Sequence, residues 1–240
     1  MRTRELTFTA SRSAGEVSAL LIEPADARAL FVFAHGAGAG MRHTFMDRMS
    51  ALLADHAIAT LRYQFPYMEK GGRRPDPTPV LVSTVRAAVD LGRTVAGPLP
   101  LFAGGKSMGG RMTSSAAAAQ PLPGVRGIAF LGFPLHPVNR PGVERATHLQ
   151  DVRLPLLFVQ GTRDALAALT LLEPIVEGLG GEAVMHVVDD ADHGFHVRKR
   201  VTGRTDDDVL EEAAGVIARW MARLQGPARP GTPSPSSISP

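Results

Sequence analysis

Residues 99–120 read LPLFAGGKSMGGRMTSSAAAAQ, an apolar run followed by a glycine-rich turn and an alanine-rich segment. The apolar run predicts a buried strand, and the alanine-rich segment predicts a helix. Between them, Gly105 to Gly109 match the pattern G-x-S-x-G, which places Ser107 on a sharp strand-to-helix turn with an exposed hydroxyl. Met108 then begins the helix, so its N–H has no partner within the helix and favours negative charge nearby. The stretch therefore predicts a nucleophile and half of an oxyanion hole.

Two other interpretations of this stretch compete with catalysis. Gly105-Lys106-Ser107 matches the end of a phosphate-binding loop, but that pattern requires glycine where this chain has Pro100. An ordinary strand, turn and helix with a serine at the helix start is common in α/β proteins. The matching glycines and the preceding apolar strand favour the catalytic interpretation.

The length and composition are those of one α/β domain. The chain has 240 residues, of which 44% are hydrophobic, and this suffices for a single substantial core. We assign residues 1–225 to that domain and predict that residues 226–240, rich in proline and serine, are disordered. Cysteine is absent, which excludes disulfides, a thiol nucleophile and cysteine metal sites. We find no metal-binding cluster and expect no cofactor.

Membranes and nucleic acids are not expected as partners. The chain starts without an apolar run of signal-peptide length and contains no apolar run long enough to span a membrane, so we expect a cytoplasmic protein. The net charge is only +3, and the basic clusters at 70–74 and 198–200 lack the interleaved aromatic residues of a nucleic-acid surface. Both clusters are interpreted as solvated loops; the first could instead attract an anionic substrate.

Apolar runs and helical spacings alternate along the chain, which predicts a doubly wound, mostly parallel sheet. Only about twenty residues, 134–154, separate two of the strands where a lid would be inserted, so the site is expected to be open. Residues 66–79 are predicted to form an irregular loop. Strands are predicted at 5–9, 16–22, 29–34, 59–65, 99–103, 125–133, 155–160 and 183–188, and helices around 45–53, 80–95, 108–120, 167–179 and 206–224.

The turn after strand 29–34 reads HGAGAG over residues 35–40. A dinucleotide-binding fingerprint would require glycine where Met41 stands. A loop that exposes backbone N–H groups does not need that glycine, and it predicts Ala37 as the second oxyanion donor beside Met108. His35 is interpreted as a support for this loop rather than as a base.

Three polar residues, Ser107, Asp164 and His193, each follow a predicted strand, in that chain order. A serine needs a neutral imidazole to take its proton, and a carboxylate must orient that imidazole and stabilise its charged form. The set therefore predicts a catalytic triad. His186 and His196 are rival bases, and Asp189, Asp190 and Asp192 are rival carboxylates.

With these motifs, residues 5–224 resemble the α/β-hydrolase superfamily, and more narrowly the dienelactone-hydrolase-like group of small, lidless predicted hydrolases. HGAGAG, FPYMEKGGRRPDP, GGKSMGGRM, GFPLHP, GTRD and DHGF are similar to the motifs of bacterial predicted hydrolases related to a testis-expressed protein and to a subunit of a chromatin acetyltransferase complex. The resemblance implies that Tyr67, Lys70 and His136 line the mouth of the pocket. With His35, they are the candidate substrate-binding residues.

We therefore expect a serine hydrolase that cleaves an ester or similar acyl bond of a small substrate through an acyl-enzyme. An acyltransferase or perhydrolase with the same triad is one alternative. The other is an interaction protein that keeps the fold without catalysis.

Overall fold

The computed structural model describes residues 1–225, and the predicted disordered tail, residues 226–240, lies outside the described part of the chain. The described part contains an eight-stranded sheet with the order β1-β2-β4-β3-β5-β6-β7-β8. The strands are β1 (Arg2–Ser11), β2 (Gly15–Glu23), β3 (Ala29–Ala34), β4 (Ile58–Tyr63), β5 (Leu101–Lys106), β6 (Val125–Leu131), β7 (Leu156–Gly161) and β8 (Ala183–Val188).

The sheet is mostly parallel, as predicted. Strands β3 to β8 pair in parallel, whereas β1 pairs with β2 and β2 with β4 in the antiparallel sense. Strands β3, β4 and β7 are buried along their whole length, because helices cover both faces of the sheet. The doubly wound fold class is therefore confirmed.

The helices divide between the two faces. One core layer contains apolar residues of α3, α4 and α5, and the other contains those of α1 and α7. The helices are α1 (Thr44–Asp55), α2 (Pro66–Glu69), α3 (Thr78–Ala96), α4 (Met108–Ala119), α5 (Leu169–Gly178), α6 (Lys199–Thr202) and α7 (Asp206–Gln225). Each of the five helices predicted from the sequence is present.

Two short helices depart from the prediction. The segment 66–79, predicted as an irregular loop, begins with the four-residue helix α2, whose first residue is Pro66. Proline suits that position because its φ is already helical and its missing N–H would have no partner there. Helix α6 was also not predicted. The segment 134–154 contains a 3₁₀ helix (Glu144–Asp151) and no lid domain, as expected from its length.

The start of α7 is closed by a reciprocal pair of hydrogen bonds. The N–H of Thr205 donates to Asp208 Oδ2 at 2.7 Å, and the N–H of Asp208 donates to Thr205 Oγ1 at 3.2 Å. This reciprocal pair satisfies backbone donors that a helix start leaves without partners. None of the helices within residues 1–225 combines the length and the apolar character that crossing a bilayer requires.

Strand β3 and helix α4 approach each other closely through glycines. A Cβ atom at Gly105 or at Gly109 would lie 2.5 Å from the carbonyl oxygen of Ala34. Because that atom belongs to the backbone of a central strand, it cannot move aside. The two glycines of the G-x-S-x-G pattern thus hold the turn that carries Ser107 against the end of β3.

Helix α3 also approaches the sheet at a glycine, and this contact can be tested. A Cβ at Gly92 would lie 2.6 Å from Val32 Cγ2 in the buried strand β3. We expect Gly92→Ala to lower the free energy of unfolding by about 1 to 2 kcal/mol, because overpacking exceeds the gain in helix propensity. Urea unfolding measures the change.

Gly178→Ala is the matched control, because a Cβ at this helical glycine meets no atom within 4 Å. We expect this variant to be equally stable or more stable than the wild type, since alanine favours the helix by up to about 1 kcal/mol. Equal stability of the two variants would contradict the proposed tight packing of α3.

Candidate active site

Ser107 lies in a strained turn between β5 and α4. Its φ of 52° and ψ of −121° are in a region that residues other than glycine rarely adopt. Its N–H donates to the carbonyl of Leu131, at the end of β6, at 3.0 Å. This contact fixes the turn above the carboxyl ends of β5 and β6, as expected of the predicted strand–turn–helix.

The structure brings the three predicted triad residues together. Ser107 Oγ lies 2.8 Å from His193 Nε2, and His193 Nδ1 lies 2.7 Å from Asp164 Oδ2. The Asp164 side chain is fully buried, whereas that of His193 keeps 26% of its surface exposed. With the proton on Nδ1, His193 donates to the carboxylate and accepts from the serine hydroxyl.

The rival histidines are engaged elsewhere. His186 Nε2 lies 2.6 Å from Glu212 Oε1, and His196 Nδ1 lies 2.7 Å from Asp206 Oδ2. Both contacts are made to helix α7, and neither histidine makes a hydrogen bond to Ser107. Neither histidine can therefore replace His193 without breaking an existing pair.

The rival carboxylates also have other partners. Hydrogen bonds from Arg198 lower the pKa of Asp190 to about 2. Asp192 Oδ1 accepts the N–H groups of Gly194 at 2.8 Å and His196 at 2.9 Å. Asp192 thus shapes the loop that carries His193, while Asp164 contacts the imidazole itself.

Gln160, a residue that the sequence analysis did not single out, holds the Asp164 side chain by a hydrogen bond. Its Nε2 donates to Asp164 Oδ2 at 2.6 Å, and its Oε1 accepts the N–H of Phe133 at 2.8 Å. The Asp164 side chain also accepts the N–H of Leu166 through Oδ1 at 2.8 Å. The sequence signal that could have identified Gln160 is its place as a polar residue near the end of the otherwise apolar strand LLFVQG.

The predicted oxyanion donors are free for a ligand. Neither the N–H of Ala37 nor that of Met108 has a hydrogen-bond acceptor within residues 1–225. Ala37 lines the same cavity as Ser107, and a Cβ at its neighbour Gly36 would lie 3.5 Å from Ser107 Cβ. The loop after β3 therefore passes directly beside the serine.

His35 supports this loop. It is fully buried, its Nδ1 lies 2.8 Å from the carbonyl oxygen of Gly36, and its Nε2 accepts the N–H of Phe65 at 3.1 Å. Burial lowers the pKa of His35 to about 4, so the ring is neutral at physiological pH. Both ring nitrogens therefore have partners within the protein, which supports the interpretation of His35 as a support for the loop.

Three further candidate binding residues are not among those that line the cavity at Ser107. His136 is buried, with Nδ1 2.9 Å from the carbonyl of Pro137 and Nε2 accepting the N–H of Ala168 at 3.0 Å. Tyr67 is buried in the core, and Lys70 is exposed at the end of α2. Their assignment as substrate-binding residues stays a prediction from the resemblance.

A cavity of about 380 Å³ opens beside Ser107 and His193. Its wall is largely apolar. An ion pair between Arg48 and Asp207 and a hydrogen bond between His196 and Asp206 lie at its rim. Lys106, whose side chain also borders the cavity, was considered in the sequence analysis only as part of a phosphate-binding loop. The apolar side chains of the wall are those of Ala37, Ala39, Phe45, Met46, Phe195 and Leu210.

No group of three or more histidine, aspartate or glutamate side chains within the described chain is arranged to hold a metal ion.

Comparisons with known proteins agree with this architecture. A family model described as an alpha/beta hydrolase domain matches residues 27–222. A dienelactone hydrolase from Anabaena variabilis is similar in structure, with a TM-score of 0.72 at 20% identity over 93% of this chain and 99% of that chain.

Two further solved structures are similar. An α/β serine hydrolase without lid from Xanthomonas campestris has a TM-score of 0.71 at 19% identity, over 96% of this chain and 98% of that chain. A serine hydrolase homologue from Coxiella burnetii has a TM-score of 0.70 at 17% identity, over 91% and 97%. The predicted α/β-hydrolase type of sheet without a large lid is confirmed.

The role of Gln160 can be tested through stability. We expect Gln160→Leu to lower the free energy of unfolding by about 1 to 3 kcal/mol, because it leaves the buried N–H of Phe133 without an acceptor. Thr60→Val is the control, since the buried Thr60 Oγ1 has no hydrogen-bond partner within residues 1–225. That variant should be as stable as the wild type or more stable. Chemical denaturation measures both, and equal losses would contradict the bridging role.

Proposed function

We propose that this chain, which belongs to the alpha/beta hydrolase family, is a serine hydrolase that cleaves an ester or similarly activated acyl bond of a small substrate. The observation that carries the proposal is the continuous path of hydrogen bonds from Ser107 Oγ through His193 to Asp164, at 2.8 and 2.7 Å. Such a path is what a serine needs to become a nucleophile at neutral pH.

In the first half-reaction, Ser107 Oγ attacks the carbonyl carbon of the substrate while its proton passes to His193 Nε2. Asp164 stabilises the resulting imidazolium through Nδ1. The bond between the carbonyl carbon and the leaving oxygen then breaks, and His193 gives its proton to that oxygen. The products of this step are an alcohol and an acyl group esterified to Ser107.

In the second half-reaction, water takes the place of the alcohol. His193 removes a proton from the water as it attacks the acyl carbon, and the proton then returns to Ser107 Oγ as the acyl bond breaks. The free acid leaves. Each half-reaction passes through a tetrahedral intermediate whose oxyanion needs donors that are already in place. We assign this role to the N–H groups of Met108 and Ala37, since neither has an acceptor within residues 1–225.

The substrate is proposed to carry a compact apolar group. The cavity beside Ser107 is bordered by Phe45, Met46, Phe195 and Leu210, and its volume of about 380 Å³ suits a group of modest size. The charged residues at its rim, Arg48, Asp206, Asp207 and His196, already pair with one another. An uncharged acyl or alcohol group therefore fits this wall better than a strongly charged one.

The triad is tested by labelling with a fluorophosphonate probe. We expect the wild type to be labelled at Ser107 and Ser107→Ala not to be labelled, with peptide mass spectrometry locating the adduct. We expect Asp164→Asn to lower the labelling rate by about 10² to 10⁴-fold, because the imidazole loses its orientation.

Ser114→Ala is the matched control. Ser114 Oγ lies 2.8 Å from His148 Nε2, so it forms a second serine–histidine pair, but inside helix α4 and without the strained turn. This variant should be labelled like the wild type. A folded wild type that is not labelled would contradict the proposal and favour an interaction protein. If added alcohol or peroxide takes most of the acyl group at low concentration, the protein is an acyltransferase or a perhydrolase.

The apolar wall is tested by the preference for acyl chain length. We expect Leu210→Ala to raise the ratio of kcat/KM for an octanoyl over an acetyl p-nitrophenyl ester by at least about tenfold, because it enlarges the cavity. The ratio does not depend on the fraction of enzyme that is folded. Val201→Ala, at an exposed position, is the control. An unchanged ratio in Leu210→Ala would mean that the acyl chain binds elsewhere.

A further inference from the structure

Lys106 is the residue directly before Ser107, and its side chain turns toward the loop that carries His193. Its ammonium donates a hydrogen bond to the backbone carbonyl oxygen of His193. The same nitrogen lies 5.5 Å from the centre of the Phe45 ring and 5.3 Å from that of Phe195. No carboxylate oxygen within residues 1–225 lies within 4.0 Å of it. The partly buried ammonium of Lys106 thus contacts a backbone carbonyl and two aromatic rings, and not a carboxylate.

The loop that receives this contact is strained. Phe195 has a φ of 68°, a region that a bulky residue rarely adopts, and it is nonetheless buried. Asp192 closes the loop on itself by accepting the N–H of Phe195 at its carbonyl oxygen, 2.9 Å away. Strained loops persist only where several contacts hold them. Lys106 contacts both the carbonyl of His193 and the ring of Phe195, so it ties the loop to the end of β5.

The charges around Lys106 come from two loops. Asp164, after β7, and Asp192, in the histidine loop, favour the charged ammonium, and the imidazoles of His193 and His196 lie on the same side. Burial outweighs the two carboxylates and lowers the pKa of Lys106 to about 8. The fraction of Lys106 that is protonated therefore falls as the pH rises through that value.

We propose that protonated Lys106 is a positioning residue, which holds the backbone of His193 so that its imidazole stays in line with Ser107 Oγ. The proposal rests on the proposed hydrolase function but names a separate part of the site. Lys106 does not touch the reacting atoms, and no bond to it forms or breaks. Its positive charge strengthens both the hydrogen bond to the carbonyl and the contact with the two rings.

This role has a consequence for the pH dependence. His193 acts as a base in its neutral form, which no increase of pH removes, so the triad by itself predicts a plateau in kcat/KM at alkaline pH. If Lys106 must be charged, kcat/KM instead falls above about pH 8. An alkaline decline that depends on Lys106 is therefore the signature of the positioning role.

The test compares Lys106→Met and Lys106→Arg with the wild type from pH 6 to 10. Methionine keeps the length of the side chain and removes its charge, and arginine keeps the charge at every pH. At pH 7 we expect Lys106→Met to lose about 10- to 100-fold in kcat with little change in KM, because misplacement of a catalytic group acts on the chemical step. This variant should also lack the alkaline decline, because it has no ammonium to deprotonate. Lys106→Arg should retain activity at pH 9 relative to pH 7. Lys199→Met, at an exposed lysine, is the control.

Hydrogen–deuterium exchange of residues 190–197 gives a readout that does not need activity. We expect faster exchange of this segment in Lys106→Met than in the wild type or Lys199→Met, with the remaining sheet unchanged. Three results would overturn the proposal. The first is a wild-type kcat in Lys106→Met, and the second is an alkaline decline in Lys106→Arg equal to that of the wild type. The third is unchanged exchange of residues 190–197 in Lys106→Met. A wild type that does not react with fluorophosphonate overturns the hydrolase function instead, and the exchange result still decides whether Lys106 holds the loop.

Discussion

The carbonyl oxygen of Ala34 leaves no room for a side chain at one position of β5 and one position of α4. The rest of the site depends on this restriction. A Cβ atom at Gly105 or at Gly109 would lie only 2.5 Å from that oxygen and would clash with it. Their absence of side chains lets β3, β5 and the first turn of α4 come together. Because of that approach, the turn between β5 and α4 is sharp, Ser107 stands above the sheet, and the N–H of Met108 remains without an internal partner. The loop after β3 then lies next to the same serine.

The sheet order explains why residues that are distant in the chain meet. Strands β5, β6, β7 and β8 are neighbours in parallel, so the loops at their carboxyl ends share one edge of the sheet. Ser107, Asp164 and His193 follow three of these strands, which is the arrangement in which ligands bind to open parallel sheets. The strands bring these residues near one another, and contacts from Gln160 and Lys106 then hold the Asp164 carboxylate and the histidine loop in position. Gln160 orients the carboxylate from within β7, and Lys106 joins the end of β5 to the histidine loop.

Much of the fold, and the three residues of the proposed triad, could be predicted from the sequence, because those signals are local. Continuous apolar runs identified the buried strands, and the prediction for β8, residues 183–188, matches its observed bounds. The G-x-S-x-G spacing and the chain order of Ser107, Asp164 and His193 identified residues that the structure joins by hydrogen bonds. The direction of a side chain is not a local property. His35 and His136 could be recognised as parts of motifs, but their burial depends on Phe65 and Ala168, which lie about thirty residues away in the chain. Lys106 contacts the carbonyl of His193, a residue far along the chain, so no spacing could reveal that contact. Gln160 lies only four residues before Asp164, but its second partner, Phe133, is on the loop after another strand, and this part of its role depends on the fold.

The paired groups at the rim of the cavity also have a consequence for how a substrate arrives. Arg48 pairs with Asp207, and His196 with Asp206, whose hydrogen bond raises the pKa of the imidazole, so each carboxylate lies beside a basic group. All four side chains are about half exposed or more. The far field of such paired groups is weak, so these two pairs neither attract nor repel a charged molecule over a distance. The two pairs therefore contribute little to the rate at which a charged molecule reaches the cavity, or to the dependence of that rate on ionic strength. A molecule that reaches the cavity is then selected by how well it fits the apolar wall, and not by pairing with these four side chains.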